Sequence, residues 1–294
     1  MEYQPAREID VRDGLPGGPN RHTESGVRFE AKLVDHLRAR GYPANHRPPD
    51  GEVYDPASPA HLAEAGRGLA RYHEAVRSFP HRLRARSRPP LPALESSGPY
   101  ALADFAGAAQ AYLGSAGRAR LTRASSFLWS QFIRVPEALA GILPELPRLV
   151  IHGAYDHSAL IYQGDHLAGV TGYGWAAYEL RAIDLGQSLD AFAGVAEPGC
   201  LDLERCADWM AAYREVEPLP AHELAALPLV FRAQHLTGVL TGTARFLRRH
   251  EGDPQPDQVA GGLLDLVEAE AERARWLETG EQELLSALGG SLVA

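Results

Sequence analysis

Asp156 and His157 stand side by side in a short polar segment, Ala154-Tyr155-Asp156-His157-Ser158, set between two apolar runs. A carboxylate beside an imidazole forms a general acid–base set when both face one cleft, because the imidazole titrates near neutral pH. Two such neighbours in a loop also serve as plain solvated surface, and the residues alone leave both readings open. His152 and Tyr155 flank the pair and complete the candidate catalytic set of His157, Asp156, Tyr155 and His152. Nearby, Tyr162, Tyr173, Trp175 and Tyr178 are candidates for the wall of an aromatic ligand pocket, although such side chains more often fill a core. Asp184 joins them as a candidate ligand contact; at the start of a helical run it is equally a cap. Cys200 and Cys206 read as buried, inert thiols, and no His or Cys pair at metal spacing accompanies them. Neither a metal site nor a cofactor is expected.

Several elements must position these residues. Phe29, Leu33, Val34 and Leu37 recur at helical spacing and end at Gly41. Ser58 caps a predicted helix over 59–79, with an apolar stripe at Leu62, Ala65, Leu69, Tyr72, Val76 and Phe79. The Pro- and Arg-rich stretch 80–98 reads as a loop, and its four arginines between Arg82 and Arg88 read as a solvated run or an acidic dock. Helices follow over 101–113 and 117–133, and Pro136 interrupts the pattern. Leu149-Val150-Ile151, Leu160-Ile161-Tyr162 and Leu167-Ala168-Gly169-Val170 are three short strands, with a hairpin turn at Gly164-Asp165. Helical periodicity then resumes over 183–193, 202–215, 221–249, 256–278 and 281–290.

The chain has 294 residues, 45% of them hydrophobic, enough for one large domain or a small lobe plus a large one. A net charge of −9 gives no global attraction to nucleic acid or an anionic membrane. Two cysteines make no disulfide framework, the polar N-terminus has no apolar leader core, and no run is long enough to span a bilayer. A cytoplasmic protein is expected.

Read together, four segments resemble the aminoglycoside phosphotransferase and choline kinase-like family. Leu69-Ala70-Arg71-Tyr72-His73 is similar to its Leu-Ala-x-Leu-His helix, and His152-Gly153 with Leu160-Ile161-Tyr162 to its His-Gly-Asp-x-x-x-x-Asn catalytic loop and following strand. Gly169-Val170-Thr171-Gly172-Tyr173 resembles the Gly-Val-Ile-Asp-Trp segment, and Ile183-Asp184-Leu185-Gly186 the Tyr-Asp-Leu-Ala helix start. The resemblance covers 59–195. It implies an α+β, protein kinase-like fold with a truncated N-terminal lobe and a large, mostly helical C-terminal lobe carrying a small β hairpin. The division expected is 1–57, an N-lobe remnant and linker, and 58–294, the helical lobe with the loop. It further implies that His152 packs within the loop core and that Asp184 holds the loop backbone.

The departures from that frame set the functional expectation. The family's acceptor-orienting Asp is Ala154 here, and its two metal ligands are Ala159 and Gly172. Gly17-Gly18-Pro19-Asn20 resembles the nucleotide loop and Glu30 sits at the place of the lysine-pairing Glu, but the sole lysine, Lys32, falls on the same helix as Glu30. Phosphoryl transfer rests on positioning and charge neutralisation. The expected function is therefore a kinase fold repurposed to bind a small molecule or peptide, with non-phosphoryl acid–base chemistry, such as cyclisation or addition in natural-product or modified-peptide biosynthesis. The alternatives are a non-catalytic scaffold or activator of a partner enzyme, and an ATP-dependent small-molecule phosphotransferase with displaced catalytic groups. Neither nucleic acid nor membrane is an expected partner.

Overall fold

Ser58 caps a helix as its sequence predicts: its hydroxyl accepts from the His61 backbone N–H at 3.2 Å, and Pro59 occupies the first turn, where no N–H is needed. This helix, α2 (Pro59–Val76), is the central strut. Leu62, Ala65, Leu69, Tyr72 and Val76 are all buried, and so are Gly66, Gly68 and His73 on its other side, because helices or the loop region cover it from several directions. Each large apolar side chain buried in this way contributes about 1.5–3 kcal/mol. In the computed structural model, residues 24–80, 90–195, 200–249 and 256–289 are described. The Gly17–Asn20 turn and the Arg82–Arg88 run lie outside them.

Before α2 comes α1 (Glu24–Ala39), whose Phe29, Leu33, Val34 and Leu37 form the predicted buried stripe. Phe29 meets Phe79 edge to face at 5.7 Å. Helices α3 (Pro90–Ala109), α4 (Ser115–Ala140), α7 (Ala221–Arg249) and α8 (Pro256–Thr279) pack on one another as a bundle. Between the α4 and α7 segments, α5 (Arg181–Ala193) and α6 (Leu203–Val216) connect this bundle to α2, and α9 (Glu281–Ala287) closes the chain against α6, α7 and α8. Among the described residues no helix is long and apolar enough to cross a membrane.

Two small sheets sit at the α2 side. β1 (Glu52–Val53), β3 (Leu160–Gln163) and β4 (His166–Val170) form an antiparallel sheet in the order β1-β3-β4, with Leu160 opposite Val170 and Gln163 opposite His166 across the Gly164-Asp165 turn. β2 (Arg148–Ile151) pairs antiparallel with β5 (Ala177–Leu180), Ile151 facing Ala177. The three predicted strands therefore belong to two sheets, and β1 and β5 complete them. Both partners are short and lack alternation, so their pairing comes from tertiary contact.

Two proline readings are corrected. Residues 90–98 are helical, because Pro90 lies in a first turn that tolerates it and Pro99 sits inside α3. Helix α4 runs through Pro136 to Ala140 without a break. In both cases burial overrides the lost backbone hydrogen bond: Leu94, Leu102 and Phe105 of α3 and Val135 and Leu139 of α4 are buried in the core.

The start of α5 is fixed by charge. Arg181, almost fully buried, donates from Nε to Glu223 Oε1 at 2.9 Å and also pairs with Glu217, which Arg77 meets from the end of α2. Buried charges persist only when matched in this way. The network locks α2, α5 and the α6–α7 connection together three residues before Asp184.

Candidate active site

Asp184 organises the loop between β2 and β3. It is fully buried on the first turn of α5, and its Oδ2 accepts from the His152 backbone N–H at 2.6 Å while Oδ1 accepts from the Gly153 N–H at 2.8 Å. His73, from α2, donates Nε2–H to the same carboxylate at 3.1 Å and holds the Tyr213 hydroxyl of α6 at 2.7 Å on Nδ1. Asp184 thus spends its oxygens on the loop backbone and on His73. It positions the loop, with both oxygens buried and bonded to protein donors.

Gly153 turns the chain with φ 75°, and a Cβ there would lie 2.5 Å from the Trp175 carbonyl oxygen, so only glycine fits. His152 is fully buried. Its Nε2 bonds the Thr171 carbonyl at 2.8 Å and its Nδ1 accepts from the Ala154 N–H at 3.3 Å, an arrangement that fits a neutral imidazole with the proton on Nε2. Burial pushes its pKa down, in agreement. Through the Thr171 carbonyl it ties the loop to the segment that follows β4.

Three tyrosines expected in the cleft are in the core instead. Tyr155 is 1% exposed, donates to the Ala65 carbonyl at 3.1 Å and fills the space beside Gly68. Tyr162 donates to the His61 carbonyl at 3.0 Å and stacks on the His61 ring at 4.0 Å. Tyr173 is buried against Tyr72 and His152. Burial drives all three phenols well above their ordinary pKa, so they stay protonated and serve as packing.

Asp156 and His157 remain at the surface of the loop. Asp156 is partly exposed and caps the turn 157–159, its Oδ1 accepting from Ser158 N at 2.8 Å and Ser158 Oγ at 2.6 Å. His157 is exposed at its edge but lies flat on Tyr54, ring centroids 4.6 Å apart at 10°, with the Phe192 edge at 4.9 Å. Partial burial and then Arg205 pull its pKa down against the opposing Asp156 charge. Arg205 holds this group together, donating to Tyr54 OH at 2.9 Å, the Phe192 carbonyl at 2.9 Å and the Pro56 carbonyl at 3.1 Å. Sequence reasoning missed Tyr54, Phe192 and Arg205, which come from three distant segments. Trp175 and Tyr178 are half-buried on the 173–180 strand approach, next to the loop in sequence and, for Trp175, through the Gly153 contact. Cys206 is buried, its thiol pushed up to about 12 by burial, and is unsuited to nucleophilic work.

The frame places Ala159 and Gly172 together. A Cβ on Gly172 would stand 3.9 Å from the Ala159 Cβ and 3.5 Å from the His152 ring. Neither position carries a donor, Ala154 carries none, and no group of three His, Cys, Asp or Glu residues able to hold a metal ion occurs among the described residues. The residues present do not fit a resident magnesium ion. Glu30 is half-buried on α1 and Lys32 points to its exposed side.

No family model matches the chain. Curated relatives do. A homoserine kinase from a Bradyrhizobium strain is 30% identical over 235 residues, 71% of this chain and 66% of that protein. A second Bradyrhizobium homoserine kinase is 30% identical over 237 residues, 71% of this chain and 65% of its own length, and one from Methylocella silvestris is 26% identical over 75% of this chain and 70% of its own. The chain thus matches just under two thirds of the length of the first two. Among solved structures, an aminoglycoside phosphotransferase from Alicyclobacillus acidocaldarius superposes with a TM-score of 0.63 at 14% identity over 94% of this chain and 84% of that one. A microcompartment-associated aminopropanol kinase gives 0.58 at 17% identity over 90% and 85%. The fold is the kinase-like fold of the aminoglycoside phosphotransferase and choline kinase group. Two expectations are corrected by these relatives: a fold repurposed for non-phosphoryl chemistry, and a non-catalytic scaffold. Proteins similar over most of this chain are named as small-molecule kinases.

Proposed function

We propose that this chain, built on the kinase-like fold, transfers a phosphoryl group from ATP to the hydroxyl of a small amino compound, with homoserine the first acceptor to test. The observation that carries this reading is the 30% identity to homoserine kinases over 71% of the chain. The retained His73–Asp184–His152 frame, which presents the loop, supports it. Magnesium enters only with the nucleotide substrate, and no step is assigned to a protein-bound ion. The residue proposed to accept the substrate hydroxyl is Asp156. Its Oδ1 is engaged by Ser158, its Oδ2 has no hydrogen-bond partner among the described residues, and it sits two residues from Ala154 on the same loop. His157, fixed on Tyr54, is proposed as the neighbouring wall, with Trp175 and Tyr178. The small N-terminal piece 1–57 and the body 58–294 are taken as the two parts, stitched by the pairing of β1 with β3.

A coupled assay of ADP release with magnesium-ATP and L-homoserine tests the reading. Acceptor-dependent ADP release is expected, reduced about 10²–10⁴-fold in Asp156→Ala, the usual weight of a general base. ADP release identical with and without acceptor, or unchanged in Asp156→Ala, overturns it.

A further inference from the structure

Between the end of α1 and the outer face of α2 lies a hollow of about 280 Å³, lined by Arg40, Gly41, Tyr42, Arg71, Glu74 and Ala75. None of the loop residues 152–159 lines it. Its rim carries charges of both signs. Arg40 and Glu74 are exposed, and neither side chain has a partner among the described residues. Arg71 gives one Nη2 contact to Glu64 at 3.1 Å and keeps the rest of its five N–H donors. Tyr42 forms part of the lining; its ring is 4% exposed, and its buried hydroxyl has no partner in hydrogen-bonding geometry although the Tyr155 phenol is close. That hydroxyl lies on the inner side, beside the buried Tyr155 phenol, so the polar groups the hollow offers a ligand are the rim charges of Arg40, Arg71 and Glu74.

We propose that this hollow binds a free α-amino acid, its carboxylate held between Arg40 and Arg71 and its ammonium group facing Glu74. Guanidinium groups suit a carboxylate because their N–H donors are planar and forked. The small volume excludes a nucleotide-sized anion from full enclosure, and Glu74 opposes any ligand that carries negative charge alone. The site is separate from the loop, but the Tyr42 ring touches Tyr72 at 5.7 Å, and Tyr72 touches the His152 ring at 5.7 Å. Occupancy is therefore one aromatic side chain away from the loop.

Isothermal titration with L-alanine and L-leucine tests this proposal. Neither probe has a side-chain hydroxyl, so neither is a phosphoryl acceptor, and the result is independent of the function proposed above. Saturable binding is expected, at least tenfold weaker for alaninamide, which lacks the carboxylate, and for propionate, which lacks the ammonium. Arg71→Gln and Glu74→Gln, both at exposed positions, are each expected to weaken binding at least tenfold with an unchanged melting temperature. The absence of saturable binding by either amino acid overturns the proposal. So does binding that survives Arg40→Gln with Arg71→Gln, or binding that Asp156→Ala abolishes.

Discussion

At the scale of single residues, Asp184 carries the site. Three hydrogen bonds converge on one buried carboxylate, two of them from consecutive loop amides. Bonds to a charged acceptor contribute about 1.5–3 kcal/mol each, and a buried donor left without a partner costs a similar amount. Asp184→Ala is expected to destabilise the protein by several kcal/mol in urea denaturation, with loss of the defined loop. Ala159 and Gly172 make the opposite kind of test. A Cβ added at Gly172 would lie 3.9 Å from that of Ala159, and the family resemblance puts the metal ligands at these two positions. The double change Ala159→Asn with Gly172→Asp is expected to raise the rate of ADP formation about 10²–10³-fold, the weight of one well-placed electrostatic group. Gly172 has φ 89°, so the new Asp also brings roughly 1–3 kcal/mol of backbone strain, visible as a lower melting temperature. A rate unchanged by the pair would show that these positions do not face the transferred phosphoryl group.

Elements are held by close approach and by matched charge. Gly98 of α3 lies so near α4 that a Cβ would fall 2.3 Å from the Phe132 ring. Gly98→Ala is expected to push the two helices apart and cost about 1–3 kcal/mol, as overpacked cores do; thermal denaturation by circular dichroism reads the shift. The Arg181–Glu223 pair is the second case. Glu223 is fully buried, and its removal leaves the Arg181 guanidinium short of a counter-charge. Glu223→Ala is expected to destabilise by about 3–5 kcal/mol. A replacement of the whole network by apolar residues of similar volume is expected to cost far less, because no charge is then stranded.

Across the whole molecule, α5, α7 and α8 meet at His235. Its Nδ1 bonds Glu270 at 2.7 Å, its Nε2 lies 3.0 Å from Asp190 outside good hydrogen-bond alignment, and Arg273 approaches Asp190 at 3.7 Å. Burial opposes the imidazolium, but Asp190 and Glu270 outweigh it and push the pKa up to about 9. A raised folded pKa adds stability that is complete below the ordinary value near 6.5 and is lost as pH rises through about 9. The contribution is about 3 kcal/mol at most. Denaturation midpoints are expected to fall between pH 6.5 and 9, and His235→Gln is expected to flatten that slope. A wild-type profile that stays flat over this interval rules the imidazolium out as a tie between the helices.

Much of this architecture was legible in the residues. The α2 cap at Ser58, its stripe from Leu62 to Val76, and the runs at 149–151, 160–162 and 167–170 follow from periodicity and capping chemistry, which act over a few neighbouring residues. The motif frame located the loop and the backbone-holding role of Asp184. Periodicity did not reveal β1 and β5, the helical course of 90–98, or the continuity of α4 through Pro136, because burial outweighs local preference there. The site divided in the same way. The sequence determined which groups are near one another along the chain: Tyr155, Asp156, His157, Ala159, Gly172. Only the tertiary structure decided that Tyr155, Tyr162 and Tyr173 turn inward while Asp156 and His157 stay outside, and that Tyr54, Phe192 and Arg205 gather under His157. Side-chain direction depends on which surfaces meet, and those contacts join residues up to 151 positions apart.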